Sequence, residues 1–275
     1  MYKIGFIGAG NMGGALITAA CKSTGADQVV ITDYDPAKAK ELAEKLGCVA
    51  VDNNDDLVRQ AEYIVFAVKP NVIRSVAGGI ADTLKACLKE GQKKTVVTIA
   101  AGIAVSVIKG CIDCDVPVIR IMPNTPAMVG QGMILLTCDQ NAPDEISEEQ
   151  FAEFQSLIAA AGEFERIPEA MMDLTTGVSS CAPAFVYMFI EALADGAVQV
   201  GVPRAQAMRL AAKTVLGSAA MVLETGEHPG ALKDAVCSPG GSTIVGVTTL
   251  EQYGFRNAAA QAIIKSTERN LELGK

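Results

Sequence analysis

The stretch Lys3–Gly14 constrains this chain more than any other, because it combines an apolar strand, a glycine turn and the start of a helix. Gly8, Gly10 and Gly13 follow the strand in the spacing G-x-G-x-x-G. Gly8 would allow a tight turn, Gly10 the close approach of a pyrophosphate, and Gly13 close packing of helix on strand. The first amides of the helix would then hold the phosphates. The stretch therefore predicts a dinucleotide-binding βαβ unit.

The surroundings of the glycine turn support the same interpretation. Asp33 lies twenty residues beyond Gly13, at the end of a second predicted strand, Val29–Thr32. An acidic residue at this spacing is part of the dinucleotide-binding fingerprint. The alternative is a structural glycine turn in an unrelated α/β protein.

Alternating strands and helices through about residue 140 predict a doubly wound parallel sheet of the Rossmann type. The predicted strands are residues 4–7, 29–32, 63–68, 95–100, 118–122 and 133–137, and the predicted helices are 12–22, 38–46, a short one from 53, 71–88 and 105–111. In such sheets ligands bind beyond the carboxyl ends of the strands. We therefore expect the cofactor crevice to be lined by Gly8–Gly13, Asp33–Asp35, Val68–Pro70, Ala100–Gly102 and Met122–Asn124. Alternatively, these loops carry only ordinary turn residues.

A second domain is predicted after Pro168, where long alanine-rich helices replace the strands. The expected division is a dinucleotide-binding domain, residues 1–167, and an all-α dimerisation and substrate-binding domain, residues 168–275. The helix predicted over 183–200 is apolar on nearly all sides, and such a helix must be covered on every face. The remaining helices, 203–224 and 256–273, are too few to cover it, so we predict a homodimer or a larger assembly.

Charge and targeting signals narrow the class of protein. The 275 residues carry a net charge of −8, which argues against nucleic acid or an anionic membrane as a partner. No basic segment precedes an apolar run at the N-terminus, and the run 184–201 contains Glu191 and Asp195 on one helix face. We therefore expect no signal peptide, no membrane span and a cytoplasmic location.

The cysteines and the single histidine suggest no metal site. The eight cysteines are scattered and, in a cytoplasmic protein, are expected to be reduced. Cys111 and Cys114 form a C-x-x-C, but no second pair or nearby histidine completes a zinc site. His228 is the only histidine, and no nucleophile–base pattern can be read. This scarcity of acids and bases is typical of hydride transfer, in which the cofactor carries the chemistry.

One irregular stretch interrupts the helical domain, Cys237–Ile244. Its glycine pair, Gly240 and Gly241, follows a proline and can turn successive N–H groups inward as an anion nest. Ser238, Ser242 and Thr243 add hydroxyl donors. The alternative is a helix–helix turn with ordinary glycine and proline.

Several of these segments together resemble the pyrroline-5-carboxylate reductase family, over essentially the whole chain and in the family's order. The matching segments are Phe6–Gly13, Ala67–Pro70, Ile99–Gly102, Arg120–Ala127 and His228–Thr243. The resemblance implies reduction of L-1-pyrroline-5-carboxylate to L-proline with NADPH or NADH. It also implies a homodimer, often assembled into decamers, whose active site lies between the nucleotide domain of one subunit and the helical domain of its partner.

The resemblance also implies roles for individual residues. The pyrophosphate would be held by Gly8, Ala9, Gly10, Asn11 and Met12, with Gly13 in the same turn, and the adenosine would lie near Asn54. The nicotinamide ribose would be bordered by Ala67, Val68, Lys69, Pro70, Ala100 and Ala101. The substrate carboxylate would be held by Ser238, Gly240, Gly241 and Ser242. Thr243 would be the catalytic residue, hydrogen-bonded to the ring nitrogen.

The residues after the second strand depart from the family's usual pattern, because members that prefer NADPH carry uncharged or basic residues there. Asp33 and Asp35 would place two carboxylates near the adenine ribose, where a carboxylate repels a 2′-phosphate. We predict that NADH is used at least comparably to NADPH, unless Asp35 serves only as a helix cap. Two other functions are open: a β-hydroxyacid dehydrogenase and a non-catalytic nucleotide sensor.

Overall fold

The computed structural model describes residues 1–139 and 146–273, and this part of the chain contains an eight-stranded sheet. Its strands are β1 Tyr2–Ile7, β2 Val29–Thr32, β3 Val49–Ala50, β4 Ala61–Phe66, β5 Thr95–Thr98, β6 Val118–Met122, β7 Gly132–Cys138 and β8 Gly162–Arg166. The strand order is β3-β2-β1-β4-β5-β6-β7-β8, with one antiparallel pair, β6 and β7. The predicted Rossmann-type fold class is confirmed.

Side-chain caps mark the starts of some of the α-helices. Asp35 is the N-cap of the second helix, and left-handed Gly47 ends it. Ser147 and Gln150 form a capping box at the start of the helix Glu148–Leu157. The helices are α1 Asn11–Thr24, α2 Pro36–Leu46, α3 Asn54–Gln60, α4 Ile73–Gly79, α5 Ala81–Lys89, α6 Val105–Ile112, α7 Glu148–Leu157, α8 Glu169–Thr176, α9 Ala182–Gln199, α10 Arg204–Thr225, α11 Pro229–Ala235, α12 Ser242–Gln252 and α13 Phe255–Leu273.

Three local predictions need correction, and one short strand was not predicted. The single helix predicted over 71–88 is a 3₁₀ turn followed by α4 and α5, and the break falls after the glycine pair that ends α4. The strands predicted over 63–68 and 95–100 end at Phe66 and Thr98, so the residues after them are loops. The two-residue β3 was not predicted, because it is too short to show a pattern.

The reversal of β7 is the remaining difference from a fully parallel sheet. A parallel neighbour needs a crossover of about a dozen residues or more. The connection 123–131 is shorter and contains only a 3₁₀ turn, Thr125–Val129, so β7 returns antiparallel to β6.

The sheet is covered on both faces by separate apolar cores. Side chains alternate across each strand, so Ile119 and Ile121 belong to one core while Val118 belongs to the other. The first core includes Leu16 of α1 and Phe154 of α7, and the second lies under α4, α5 and α6. This two-sided burial holds the carboxyl ends of the strands in a fixed row.

The chain divides into two compact units. One comprises Met1–Ser180 together with the end of α13 from Thr267, and the other is Cys181–Ser266. Within 181–266 only Ala194, Ala207 and Ala211 are buried, while large apolar side chains of α9 and α10 are exposed. The predicted division after residue 167 stays a prediction.

Among the described residues, one helical stretch, Glu169–Gln199, is long and apolar enough to cross a membrane by length and composition alone. Only 17% of its most apolar segment is buried within this chain. Glu191 and Asp195 interrupt it. Such a surface requires a cover, which the predicted second copy of the chain would supply.

Candidate active site

Three adjoining cavities follow the carboxyl edge of the sheet within the first unit. Their volumes are about 330, 510 and 890 Å³, and Gly10 lines all three. Asp33 and Asn54 line the 890 Å³ cavity, Ala100 and Ala101 line the 510 Å³ cavity, and Ala67 lines both. The structure thus brings the residues predicted for the two ends of a dinucleotide to either side of the glycine turn.

The three fingerprint glycines are required for different reasons. Gly8 has a φ of +108°, and a methyl group there would lie 2.5 Å from the carbonyl oxygen of Ala67. A methyl group on Gly13 would lie 2.5 Å from the carbonyl oxygen of Gly8. At Gly10, by contrast, a methyl group would have no atom within 4 Å. The fold itself requires Gly8 and Gly13, whereas the openness above Gly10 is what a pyrophosphate would need. The residues present therefore fit a dinucleotide.

Asp33 ties the end of β2 to the glycine turn. One carboxylate oxygen, Oδ2, accepts the Ala9 N–H at 2.6 Å, and Oδ1 accepts the Asp35 N–H at 3.0 Å. The Asp35 carboxylate caps α2 by accepting the Ala37 N–H at 3.1 Å. Asp33 lines the 890 Å³ cavity, and Asp35 is not among its lining residues. Of the two carboxylates predicted near the adenine ribose, only Asp33 lines this cavity, and its contact with the ribose stays a prediction.

Lys38, in the first turn of α2, also lies at this edge, and it was not predicted from the sequence. It lines all three cavities, and within residues 1–139 and 146–273 it has no ion pair or hydrogen bond. Lys40, two residues later, instead pairs with Asp52 at 3.5 Å. The available signal was a lysine shortly after the acidic residue that ends β2. An uncommitted ammonium group at this edge can offset the local carboxylates when an anionic cofactor binds.

The opposite end of the edge is formed by the glycine turn and by the loops that follow β4, β5 and β6. The 510 Å³ cavity is lined by Asn11, Met12 and Gly13 of the glycine turn and by Ala67, Val68, Lys69, Pro70, Ile99, Ala100, Ala101 and Pro123. Asn124, in the fifth predicted loop, has a different role. It is buried, donates to the Ser179 carbonyl at 3.0 Å and accepts the Met133 N–H at 3.1 Å, so it anchors chain segments.

The predicted substrate loop lies in the second unit. Gly240 adopts a φ of +68°, and the Gly241 N–H donates to the Ser238 carbonyl at 3.0 Å. Helix α12 begins at Ser242, so Ser242 and Thr243 supply its first amides. First-turn amides have no partner within their helix and favour anions. The loop therefore has the local form of a carboxylate site, and its contact with substrate stays a prediction.

The single histidine has a structural role. His228 caps α11, because its Nδ1 accepts the Gly230 N–H at 3.0 Å. Cys111 and Cys114 do not form a disulfide with each other. Among the residues that the structure describes, no three His, Cys, Asp or Glu side chains are grouped to hold a metal ion.

Comparisons with known proteins agree over both units. Residues 169–273 match the family model described as pyrroline-5-carboxylate reductase dimerisation, and residues 3–102 match that of NADP oxidoreductase, coenzyme F420-dependent. The chain is 42% identical over 275 residues to the pyrroline-5-carboxylate reductase of Escherichia coli K12, covering 99% of this chain and 98% of the relative. The chain belongs to the pyrroline-5-carboxylate reductase family. The Arabidopsis thaliana member of this family is 35% identical, with 100% of this chain and 96% of the relative covered.

Solved structures of family members have the same architecture. The Plasmodium falciparum pyrroline carboxylate reductase with NADP bound superposes with a TM-score of 0.85 at 28% identity, covering 100% of this chain and 98% of the other. The Streptococcus pyogenes 1-pyrroline-5-carboxylate reductase gives 0.84 at 31% identity, with 98% of each covered. Pyrroline-5-carboxylate reductase family membership confirms the oxidoreductase class, the nicotinamide cofactor and the helical dimerisation region.

Proposed function

We propose that this chain reduces L-1-pyrroline-5-carboxylate to L-proline with NADPH or NADH, the final step of proline biosynthesis. The observation that carries the proposal is the full-length likeness to curated reductases, joined to a row of cavities that accepts a dinucleotide across Gly10. A β-hydroxyacid dehydrogenase would share the glycine turn, but the Cys237–Ile244 loop favours the imine reductase.

In this proposal the residues of the chain hold and orient the substrate, and the cofactor supplies the hydride. When bound, the reduced nicotinamide supplies a hydride to the imine carbon of the substrate. The Ser238 and Ser242 hydroxyls and the first amides of α12 hold the carboxylate and so determine which face of the ring is presented. The Thr243 hydroxyl oxygen accepts a hydrogen bond from the protonated ring nitrogen and so orients it. Protonation to the iminium form makes the imine carbon the better electrophile, and the hydride that adds there completes the reduction. Positioning of this kind contributes at most about 7–11 kcal/mol to catalysis.

The assembly proposed for this function is a cytoplasmic homodimer, with decamers of five dimers as its larger form. Support comes from the exposed apolar helices of the second unit and from the matched dimerisation region. In such a dimer the Ser238–Thr243 loop of one subunit would face the nicotinamide of its partner. The negative net charge fits a small-molecule enzyme without nucleic acid or membrane partners.

Turnover of pyrroline-5-carboxylate with each reduced cofactor, followed by the loss of cofactor absorbance, tests the proposal directly. Thr243→Ala should lower kcat by about 100-fold and leave the cofactor KM nearly unchanged, because the hydroxyl orients the substrate. Thr248→Ala is the matched control, since this threonine lies on the same helix and donates to the Ile244 carbonyl.

Three results would contradict parts of this account. An unchanged kcat in Thr243→Ala would remove that residue from the mechanism. Oxidation of a hydroxy acid without turnover of the cyclic imine would favour the β-hydroxyacid dehydrogenase. Cofactor binding with neither reaction would indicate the nucleotide sensor.

A further inference from the structure

Arg120, in the middle of β6, is a buried cation that the proposed chemistry does not use. Its side chain is 1% exposed. Nη2 pairs with the Asp173 carboxylate at 2.7 Å and Nη1 lies 3.6 Å from Glu169 Oε1. Within the described residues its Nε has no partner, although it is buried. Burying the charge of an arginine costs desolvation free energy, which its ion pairs with the two carboxylates must offset.

Glu169 joins this ion pair to a second structural element. The same oxygen, Oε1, accepts the Val105 N–H at 2.7 Å. Val105 is the first residue of α6, and the preceding Ala104 provides no side-chain cap. Glu169 therefore acts as the missing cap, supplied from α8 across a separation of 64 residues.

The capped helix is the continuation of the loop at the nicotinamide end. Residues 99–104 connect β5 to α6, and Ile99, Ala100 and Ala101 line the 510 Å³ cavity. At the strand side the loop is held by the Ala100 N–H, which donates to Thr98 Oγ1 at 3.3 Å. At the helix side it is held by Glu169 through Val105. A shift of the α6 N-terminus would therefore move the wall of the cavity.

We propose that Glu169, held by Arg120, is a positioning residue for hydride transfer: it holds the 99–104 loop against the nicotinamide through the Val105 amide. The inference rests on the proposed placement of the nicotinamide beside Ala100 and Ala101. Glu169 acts through this loop and is not itself a catalytic residue. It also lies at the first residue of the matched dimerisation region, so the region that pairs two subunits holds a wall of the cofactor site.

Asp173 provides a matched control, because it shares the arginine and does not contact the loop. Both acids lie on α8 and pair with Arg120, but only Glu169 accepts the Val105 N–H. Asp173→Ala therefore disturbs the buried cation alone. Glu169→Ala removes both contacts, and Glu169→Gln keeps an oxygen for the amide while removing the charge.

The full-length enzyme would be tested by steady-state kinetics with NADPH deuterated at the transferred position. Glu169→Ala should lower kcat at least tenfold and increase the deuterium isotope effect, because a misplaced nicotinamide makes hydride transfer slower than product release. Glu169→Gln should recover kcat to within threefold of wild type. Asp173→Ala should reduce the melting temperature but keep kcat within threefold.

Hydrogen exchange of the cofactor-free protein gives an independent measurement. The Val105 amide should exchange faster in Glu169→Ala, but not in Glu169→Gln or Asp173→Ala. Unchanged exchange at Val105, or an equal loss of kcat in Glu169→Ala and Asp173→Ala, would overturn the inference. Lack of turnover by the wild-type protein would instead contradict the proposed function, and the exchange result would still decide whether Glu169 holds the loop.

Discussion

Replacement of Gly10 by alanine should separate cofactor binding from folding. Gly10 has φ −67° and ψ −173°, a conformation that alanine adopts without strain. A methyl group there would have no protein atom within 4 Å. The free energy of unfolding should therefore stay the same or rise by about 0.4–1 kcal/mol, because alanine restricts the unfolded chain.

The same methyl group would enter the space where all three cavities meet. A pyrophosphate crossing Gly10 could not approach the backbone, so the cofactor dissociation constant should rise at least about 100-fold, or about 2.8 kcal/mol. Gly13→Ala is the contrasting variant. Its methyl group would lie 2.5 Å from the Gly8 carbonyl oxygen and 3.1 Å from the Ala67 methyl carbon. That overlap should cost about 1–3 kcal/mol of folding stability.

Two measurements separate an effect on folding from an effect on cofactor binding: thermal unfolding without cofactor, and calorimetric titration with NADPH. Gly10→Ala should melt like the wild type and bind weakly, whereas Gly13→Ala should melt at a lower temperature. If Gly10→Ala binds within threefold of wild type, the pyrophosphate does not cross Gly10. If it melts as early as Gly13→Ala, the space above Gly10 is occupied in the folded protein and the reasoning fails.

Three further predictions concern the cofactor edge, the core and the assembly. If Lys38 faces the 2′-phosphate, Lys38→Glu should raise the KM for NADPH at least tenfold and the KM for NADH less than threefold. Lys40→Glu is the control. An equal rise in the two KM values of Lys38→Glu would place Lys38 at the pyrophosphate instead. Lys94→Met should lower the free energy of unfolding by about 2–4 kcal/mol in urea titrations, because it removes the Nζ that donates at 2.6 Å to each of the buried carbonyls of Val58 and Ala61. An unchanged midpoint of unfolding would contradict this prediction. Sedimentation at micromolar concentration should show at least a dimer. A monomer would refute the prediction that a second subunit covers α9.

The features that could be predicted from the sequence depend on short-range patterns. The spacing of Gly8, Gly10 and Gly13, and the cap at Asp35, are read within a few residues, and both are found as expected. The Rossmann-type sheet follows from alternating strands and helices. The antiparallel direction of β7 was not predicted, because the residues of a strand do not indicate its direction. The short connection 123–131 that precedes it does.

Contacts between distant segments could not be predicted in this way. Arg120 and Asp173 are 53 residues apart, and nothing in either neighbourhood marks them as a pair. The hydrogen bonds of Asp33 with Ala9 and Asp35 were equally invisible, although they bear on cofactor preference. The prediction that NADH is used at least comparably to NADPH now depends on Asp33, with Lys38 favouring NADPH.

The alanine core of the second unit has a consequence for how the protein is handled. With three small side chains buried in residues 181–266, this region gains little free energy from folding alone, so its folding and its association should be one event. Its midpoint of denaturation should then rise with subunit concentration, and dilution should unfold it. Comparisons of variants are therefore meaningful only at a single, stated protein concentration.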